Sequence, residues 1–305
     1  MGKTVRETIK EITRKHLEGN KGKCYGQCLT AVGWVGGTLP EMYEEDGMVE
    51  FSMADVAGGA IATGIALAGG RPLYVVRYQG FQWYNLPSIV NYAAKSKEIW
   101  GRPCPIFVRS IAMEGGVGPV AGSSHHSLAQ RMPGIKVLAP MTPGEYQKAY
   151  NMFMKDDDPY YISEHRKSYD NTEEFENKYY LTTEVDFTIF PISITRFEMD
   201  KLIDLAQQND ILLNIVHIWK IKPFEIDGVM EQSLKKSKYG GLVTDDDYVE
   251  GVASSIANEL SVATGKVVHT LGLEPRTAGF HPSVDNLPPT AEKMIEKLKE
   301  IKYGI

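Results

Sequence analysis

From residue 72 onward the chain alternates short β-rich apolar runs with segments of helical period. No other feature constrains the fold as much. Runs at 72–78, 105–111, 135–139 and 160–163 enclose helical patterns at 85–100 and 143–155. A polar, acidic stretch at 169–178 reads as a linker, and the alternation then resumes. Runs at 186–195, 211–218, 240–243 and 266–271 interleave with helical patterns at 196–209, 228–236 and 248–260, and a last helix is expected at 290–301. Strands alternating with helices call for mainly parallel sheets covered on both faces. The expected fold class is α/β in two domains, 1–174 and 175–305. The 305 residues are enough for each domain to bury its own core.

Upstream the pattern is less regular. Val5, Ile9, Ile12 and Leu17 recur at helical spacing behind Thr4 and Glu7, a capping box, so an amphipathic helix is expected there. Residues 19–50 are turn-rich without a clean period. The run 56–70 is small and apolar on every side, so as a helix it is expected to be covered all round by protein, another subunit included. Its glycines permit close backbone approach.

Composition narrows the function classes. Apolar residues make up 43% and charged residues 24% of the chain, which excludes a disordered or fibrous protein. A formal charge of −6, with no run of Lys or Arg longer than a pair, argues against nucleic acid or an anionic membrane surface as partner. Three cysteines cannot all pair within one chain and read as reduced thiols. Cys24 and Cys28 lack further ligands for a zinc site, so no metal is expected on this chain. No run is long enough for a membrane span, the start lacks the apolar core of a signal peptide, and the cytoplasm, or an organelle matrix, is the default compartment.

Several residues could carry chemistry. Gly116-Val-Gly118-Pro-Val-Ala121 matches a dinucleotide fingerprint. No acidic residue closes a following strand, however, so it reads as a flexible wall. His125 and His126 follow that loop, where an imidazole can serve either as a proton carrier or as a plain loop residue. Ser52-Met-Ala-Asp55 is spaced as a capping box, so Asp55 reads as a helix cap or as a working carboxylate. Phe81, Trp83 and Tyr84 form an aromatic cluster that suits packing or ring stacking. No Walker loop and no Gly-Asp-Gly is found, so a phosphorylated cofactor would need its phosphates held by another chain.

Six segments in order resemble one family. They are 57–72 (AGGAIATGIALAGGRP), 88–95 (SIVNYAAK), 105–109 (PIFVR), His126-Ser127, 133–140 (PGIKVLAP) and Asp156-Asp-Asp-Pro159. This order is similar to that of beta subunits of thiamine-diphosphate-dependent 2-oxo acid dehydrogenases, pyruvate dehydrogenase among them. The C-terminal half of transketolase shares it. The likeness is best over 45–165.

The resemblance implies a pyrimidine-binding domain followed by a transketolase C-terminal-type α/β domain. It also implies an alpha subunit whose Gly-Asp-Gly motif holds magnesium and the diphosphate, and an assembly of two alpha and two beta chains. Phe81 falls where the family stacks a ring on the aminopyrimidine of thiamine diphosphate, and His126 where a histidine faces the reacting carbon. Asp55 falls on the family's glutamate, shorter by about 1.5 Å. His125 replaces a residue that is commonly glutamine. Asp55, His126 and His125 are therefore the expected catalytic residues, with Asp55 and Phe81 binding the cofactor.

Three functions follow as expectations. The first is the beta subunit of an enzyme that decarboxylates a 2-oxo acid and passes the acyl group to a lipoyl carrier. The second is the C-terminal half of a split transketolase-like ketol transferase. In that case His125, His126, Arg131, His165, Arg166 and His281 are candidates for a sugar phosphate. The third is a catalytically silent scaffold.

Overall fold

The computed structural model describes residues 2–19, 22–113, 122–180, 183–277, 279, 281, 283 and 285–304. The fingerprint Gly116 to Ala121 lies outside the described residues. Two compact units are present: Met1–Glu174 with Lys220–Lys222, and Phe175–Trp219 with Pro223–Ile305.

The first unit is built on a seven-stranded sheet. Its strands are β1 (Cys24–Gln27), β2 (Met48–Phe51), β3 (Leu73–Val76), β4 (Phe107–Ala112), β5 (Lys136–Leu138) and β6 (Tyr160–His165). The later strand β9 (Lys220–Lys222) completes it, giving the order β2-β1-β3-β4-β6-β5-β9. All neighbours are parallel except β9, which pairs antiparallel with β5. Every residue of β3, β4 and β6 is buried, as expected for parallel strands covered on both faces.

In the β4–β6 register Ser110 lies beside Ser163 and Ile111 beside Glu164. The alternation of a strand therefore puts Ser110 and Ser163 on one face of the sheet and Arg109, Ile111 and Glu164 on the other.

The turn-rich stretch 19–50 supplies two strands that lack a periodic signature. Each has only four residues, and β1 contains Gly26. A Cβ there would stand 2.8 Å from the Val75 carbonyl oxygen of neighbouring β3, so the glycine is a requirement of close strand approach.

The first helix, Val5–Gly19, carries its capping box: Thr4 N–H donates to Glu7 Oε2 at 2.8 Å and Glu7 N–H donates to Thr4 Oγ1 at 3.1 Å. Its buried stripe meets helix Pro143–Phe153, where His16 Nδ1 and the Tyr150 hydroxyl are 2.9 Å apart.

Helix Asp55–Leu67 buries Gly58, Gly59, Ala62, Thr63 and Ala66 against its own unit. A Cβ on Gly59 would run into the Asn85 carbonyl, and one on Gly58 into the Tyr74 hydroxyl. The close neighbour is therefore the chain's own segment around Asn85. The opposite side is open: Val56, Ile61 and Leu67 are exposed. Within the single chain the helix is covered on the first side alone.

The expected helix 85–100 runs without interruption over 87–100, its π-helical turn Ile89–Ala93 passing directly into Ala94–Trp100, and a separate short helix, Gln82–Asn85, precedes it. Pro87 cannot supply the amide that a continuous helix would need.

The first half of the stretch expected as a linker is bonded to the first unit. Tyr169 is buried and donates to Glu164 at 2.5 Å, and the Glu174 carboxylate accepts from Gly144 N–H and the Thr142 hydroxyl, both at 2.6 Å.

The second unit holds a parallel four-stranded sheet, order β11-β10-β7-β8, from β7 (Phe187–Pro191), β8 (Leu213–Ile215), β10 (Gly241–Tyr248) and β11 (Val268–Leu273). Phe187, Ile189, Leu202, Leu242, Met294 and Leu298 form its core with helices Met199–Gln208 and Ala291–Tyr303. Asp227 and Thr290 cap their helices, their side chains accepting from Met230 N–H and Lys293 N–H.

Candidate functional site

Asp55 is the first residue of its helix. The N-cap is Ala54, with no side-chain cap bond, so the capping reading of Ser52 and Asp55 fails. Instead Asp55 Oδ1 accepts from Asn85 Nδ2 at 2.7 Å, and the same amide nitrogen donates to the Phe81 carbonyl at 2.9 Å. The Asn85 side-chain oxygen, Oδ1, accepts from the Tyr74 hydroxyl. Burial, with the Asp55 charge adding to it, pushes the Tyr74 phenol well above its ordinary range and keeps it a donor. Among the described residues, the second Asp55 oxygen has no hydrogen bond.

The aromatic cluster divides. Phe81 is half-buried with its ring 5.6 Å from that of Tyr78, whereas Trp83 and Tyr84 are exposed.

His125 and His126 lie at the start of helix His126–Gln130. His126 is buried, and its Nδ1 is 2.9 Å from Ser163 Oγ. His125 is half-buried, with backbone N–H donating to Gln79 Oε1 at 2.6 Å and carbonyl accepting from Gln82 Nε2 at 2.8 Å. Gln79 opens the turn Gln79–Phe81 and Gln82 follows it, so two amides tie the Phe81 turn to the histidine loop. Asp55 meets the Phe81 turn through Asn85, and the histidines meet it through Gln79 and Gln82.

A second feature adjoins the turn at Tyr78: a cleft of about 250 Å³ lined by Arg6, Arg77 and Arg166 with Tyr78 and Tyr169. Arg6 pairs with Asp170 at 2.8 Å, and among the described residues no carboxylate is paired with Arg77 or Arg166. One wall is the turn Gly33–Gly37. Within it Trp34 and Val35 hold φ of 52°, a left-handed conformation costly for a β-branched residue. Arg6 donates to the Gly36 carbonyl of this turn.

Beneath the cleft the Arg109 guanidinium makes two bonds, 2.9 and 2.7 Å, to the Glu164 carboxylate, and both residues are fully buried. The carboxylate pushes the Arg109 guanidinium up, outweighing its desolvation.

Of the other sugar-phosphate candidates, only Arg166 reaches this cleft. His165 is buried, its Nδ1 accepting from Lys167 N–H at 3.1 Å, and Arg131 and His281 are exposed elsewhere. Sequence reasoning missed Asn85, Gln79, Gln82, Ser163, Arg6 and Arg77. Only Arg6 had a cue, as a cation within an amphipathic helix.

The chain matches the family "Transketolase, pyrimidine binding domain" over residues 17–172, about half its length. It is 24% identical over 237 residues to the pyruvate dehydrogenase E1 component subunit beta of Bacillus subtilis, covering 73% of this chain and 72% of that protein. It is 25% identical over 242 residues to the 2-oxoisovalerate dehydrogenase subunit beta of the same organism, with the same coverage. In three dimensions it is similar to a split-gene transketolase described as an inactive beta4 tetramer. The TM-score is 0.73 at 14% identity, over 99% of this chain and 98% of that one. Transketolase from Campylobacter jejuni gives a TM-score of 0.72 at 17% identity, over 97% of this chain and 46% of that one. No described helix is long and apolar enough to cross a membrane.

Proposed function

The chain belongs to the transketolase pyrimidine-binding-domain family, and on that premise we propose that it is the beta subunit of a two-chain thiamine-diphosphate-dependent enzyme. The reaction is decarboxylation of a 2-oxo acid with transfer of the acyl group to a lipoyl carrier. The observation that carries this reading is the Asp55 carboxylate, open at one oxygen and tethered through the other to Asn85, which also bonds the Phe81 carbonyl. A carboxylate acceptor beside an aromatic ring fits the aminopyrimidine half of thiamine diphosphate. The sequence offers nothing for the diphosphate.

When bound, the cofactor supplies a nucleophilic ring carbon and an electron sink. Asp55 would share a proton with a pyrimidine ring nitrogen through its open oxygen, Phe81 would lie against the ring, His126 would exchange a hydrogen bond with the substrate, and His125 would shape substrate choice. Magnesium and the diphosphate belong to an alpha chain bearing Gly-Asp-Gly, in an assembly of two alpha and two beta chains. The exposed apolar side of helix Asp55–Leu67 supports a partner there, because a helix this apolar is rarely left in water.

The arginine cleft favours the second reading, a split ketol transferase. Three guanidinium groups set against one carboxylate suit a phosphorylated substrate better than a lone carboxylate. Reconstitution with a Gly-Asp-Gly chain separates the two. Acylation of a lipoyl domain from a 2-oxo acid supports the first reading, and two-carbon transfer between sugar phosphates the second. Failure of both overturns the enzymatic reading and leaves a silent scaffold.

A further inference from the structure

Resting on the proposed roles of Phe81 and the histidines, we infer that Gln79 and Gln82 are positioning residues that hold the histidine loop beside the Phe81 turn by gripping the main chain of His125. Their spacing is the local cause. Gln79–Phe81 is a 3-10 turn whose Gln79 carbonyl accepts from Gln82 N–H, and in such a turn side chains three residues apart stand over one another. Two buried amides are thus presented to one loop.

The two amides meet at a single residue. Gln79 Oε1 accepts from His125 N–H at 2.6 Å, and Gln82 Nε2 donates to the His125 carbonyl at 2.8 Å. Gln79 is itself braced by the sheet, because its nitrogen donates to the Ser110 carbonyl on β4 at 3.1 Å and to Ser163 Oγ on β6 at 2.9 Å. Ser110 and Ser163 stand side by side in the β4–β6 register, so one amide reaches both. Turning that amide over would set carbonyl against carbonyl and N–H against N–H, which fixes its orientation.

His125 is the N-cap of helix His126–Gln130, and its carbonyl also accepts from Leu128 N–H at 3.3 Å. A helix of five residues is too short to hold its own place. Holding the peptide groups on both sides of His125 therefore fixes where His126 starts that helix, in a frame set by the turn that carries Phe81. Asp55 is held separately, by Asn85. The histidine side of the site can thus be loosened without releasing the carboxylate.

The test is amide hydrogen exchange, read by NMR, of the full chain isotopically labelled at histidine nitrogen. The His125 and His126 amides are identified by the signals lost in His125→Gln and His126→Gln. Gln79→Met keeps the length of the side chain and removes its acceptor. In this variant the His125 N–H is expected to exchange about tenfold faster or more, while the N–H of His16, inside helix Val5–Gly19, keeps its rate. A loss of overall stability would move both rates together. In Gln82→Met the His126 amide nitrogen, which shares a peptide bond with the His125 carbonyl, is expected to shift while the His16 signal stays.

A His125 N–H that exchanges no faster in Gln79→Met, a rate that rises only in step with that of His16, or a His126 signal unmoved in Gln82→Met overturns the grip. If Gln79→Met does not fold, Gln82→Met decides alone. None of these readouts needs cofactor or partner. A chain that shows the expected pattern while its complex fails to bind thiamine diphosphate would therefore fault the functional reading and leave the grip standing. In the active complex either variant is expected to lower kcat about tenfold with the affinity for thiamine diphosphate unchanged, and an equal loss of that affinity would overturn the positioning role.

Discussion

Asn85 holds Asp55: its amide nitrogen reaches the carboxylate at 2.7 Å, while its amide oxygen is fixed from behind by the Tyr74 hydroxyl. A carboxylate on the first turn of a helix could swing freely, and this chain of bonds gives it one position. Asn85→Ala should lower turnover of the reconstituted enzyme by about ten- to a hundredfold. Tyr74→Phe, which only loosens the amide, should cost less activity and about 1 kcal/mol of stability. Steady-state kinetics and urea unfolding of the two variants check this ordering.

The glycines of helix Asp55–Leu67 are not equivalent. At Gly59 an added Cβ meets the Asn85 backbone, whereas at Gly64 it meets nothing within 4 Å. Gly59→Ala should destabilise the isolated chain by about 1–3 kcal/mol through overpacking. Gly64→Ala should stabilise it by up to about 1 kcal/mol through helix propensity. Chemical denaturation of the pair gives opposite signs if the packing is as described.

This pair also shows what the sequence made legible. Fully buried parallel strands such as β3, β4 and β6 read as continuous apolar runs, and the α/β class followed from them. Strands β1 and β2 were hidden because four residues each, with Gly26 and Gln27 in one and Glu50 in the other, carry no period. The Ser52–Asp55 spacing imitated a cap, yet the chain enters the helix one residue before Asp55, without a side-chain cap, and frees the carboxylate for Asn85. Phe81, His126 and Asp55 could be named through a family likeness. The amides that connect them could not, because Gln79, Gln82 and Asn85 match no motif and acquire meaning only when β4, β6 and the histidine loop meet.

The buried Arg109–Glu164 pair should be intolerant of half-removal. Glu164→Leu strands a guanidinium in the core and is expected to cost about 3–5 kcal/mol. The double replacement Arg109→Met with Glu164→Leu should recover most of that loss, because no charge is then left unpaired. A double-mutant cycle by equilibrium unfolding measures the difference.

Acid should weaken the first unit through His16. Burial pulls its imidazole from 6.5 down to about 4, so between these values the unfolded chain binds a proton that the folded chain refuses. The contribution is complete above pH 6.5 and is lost as pH falls toward 4. It is on the order of 3 kcal/mol, at about 1.4 kcal/mol per pH unit. His16→Gln should flatten the pH dependence of stability in that window, as measured by denaturant midpoints at several pH values.

The decisive measurement is titration of thiamine diphosphate into the complex with a Gly-Asp-Gly chain, followed by turnover, for the wild type and for Asp55→Ala. The expected result is saturable binding by the wild-type complex, none by this chain alone, and loss of turnover in an Asp55→Ala variant that is still folded. An isolated chain that binds the cofactor and turns over unaided, or an Asp55→Ala complex as active as the wild type, would contradict it.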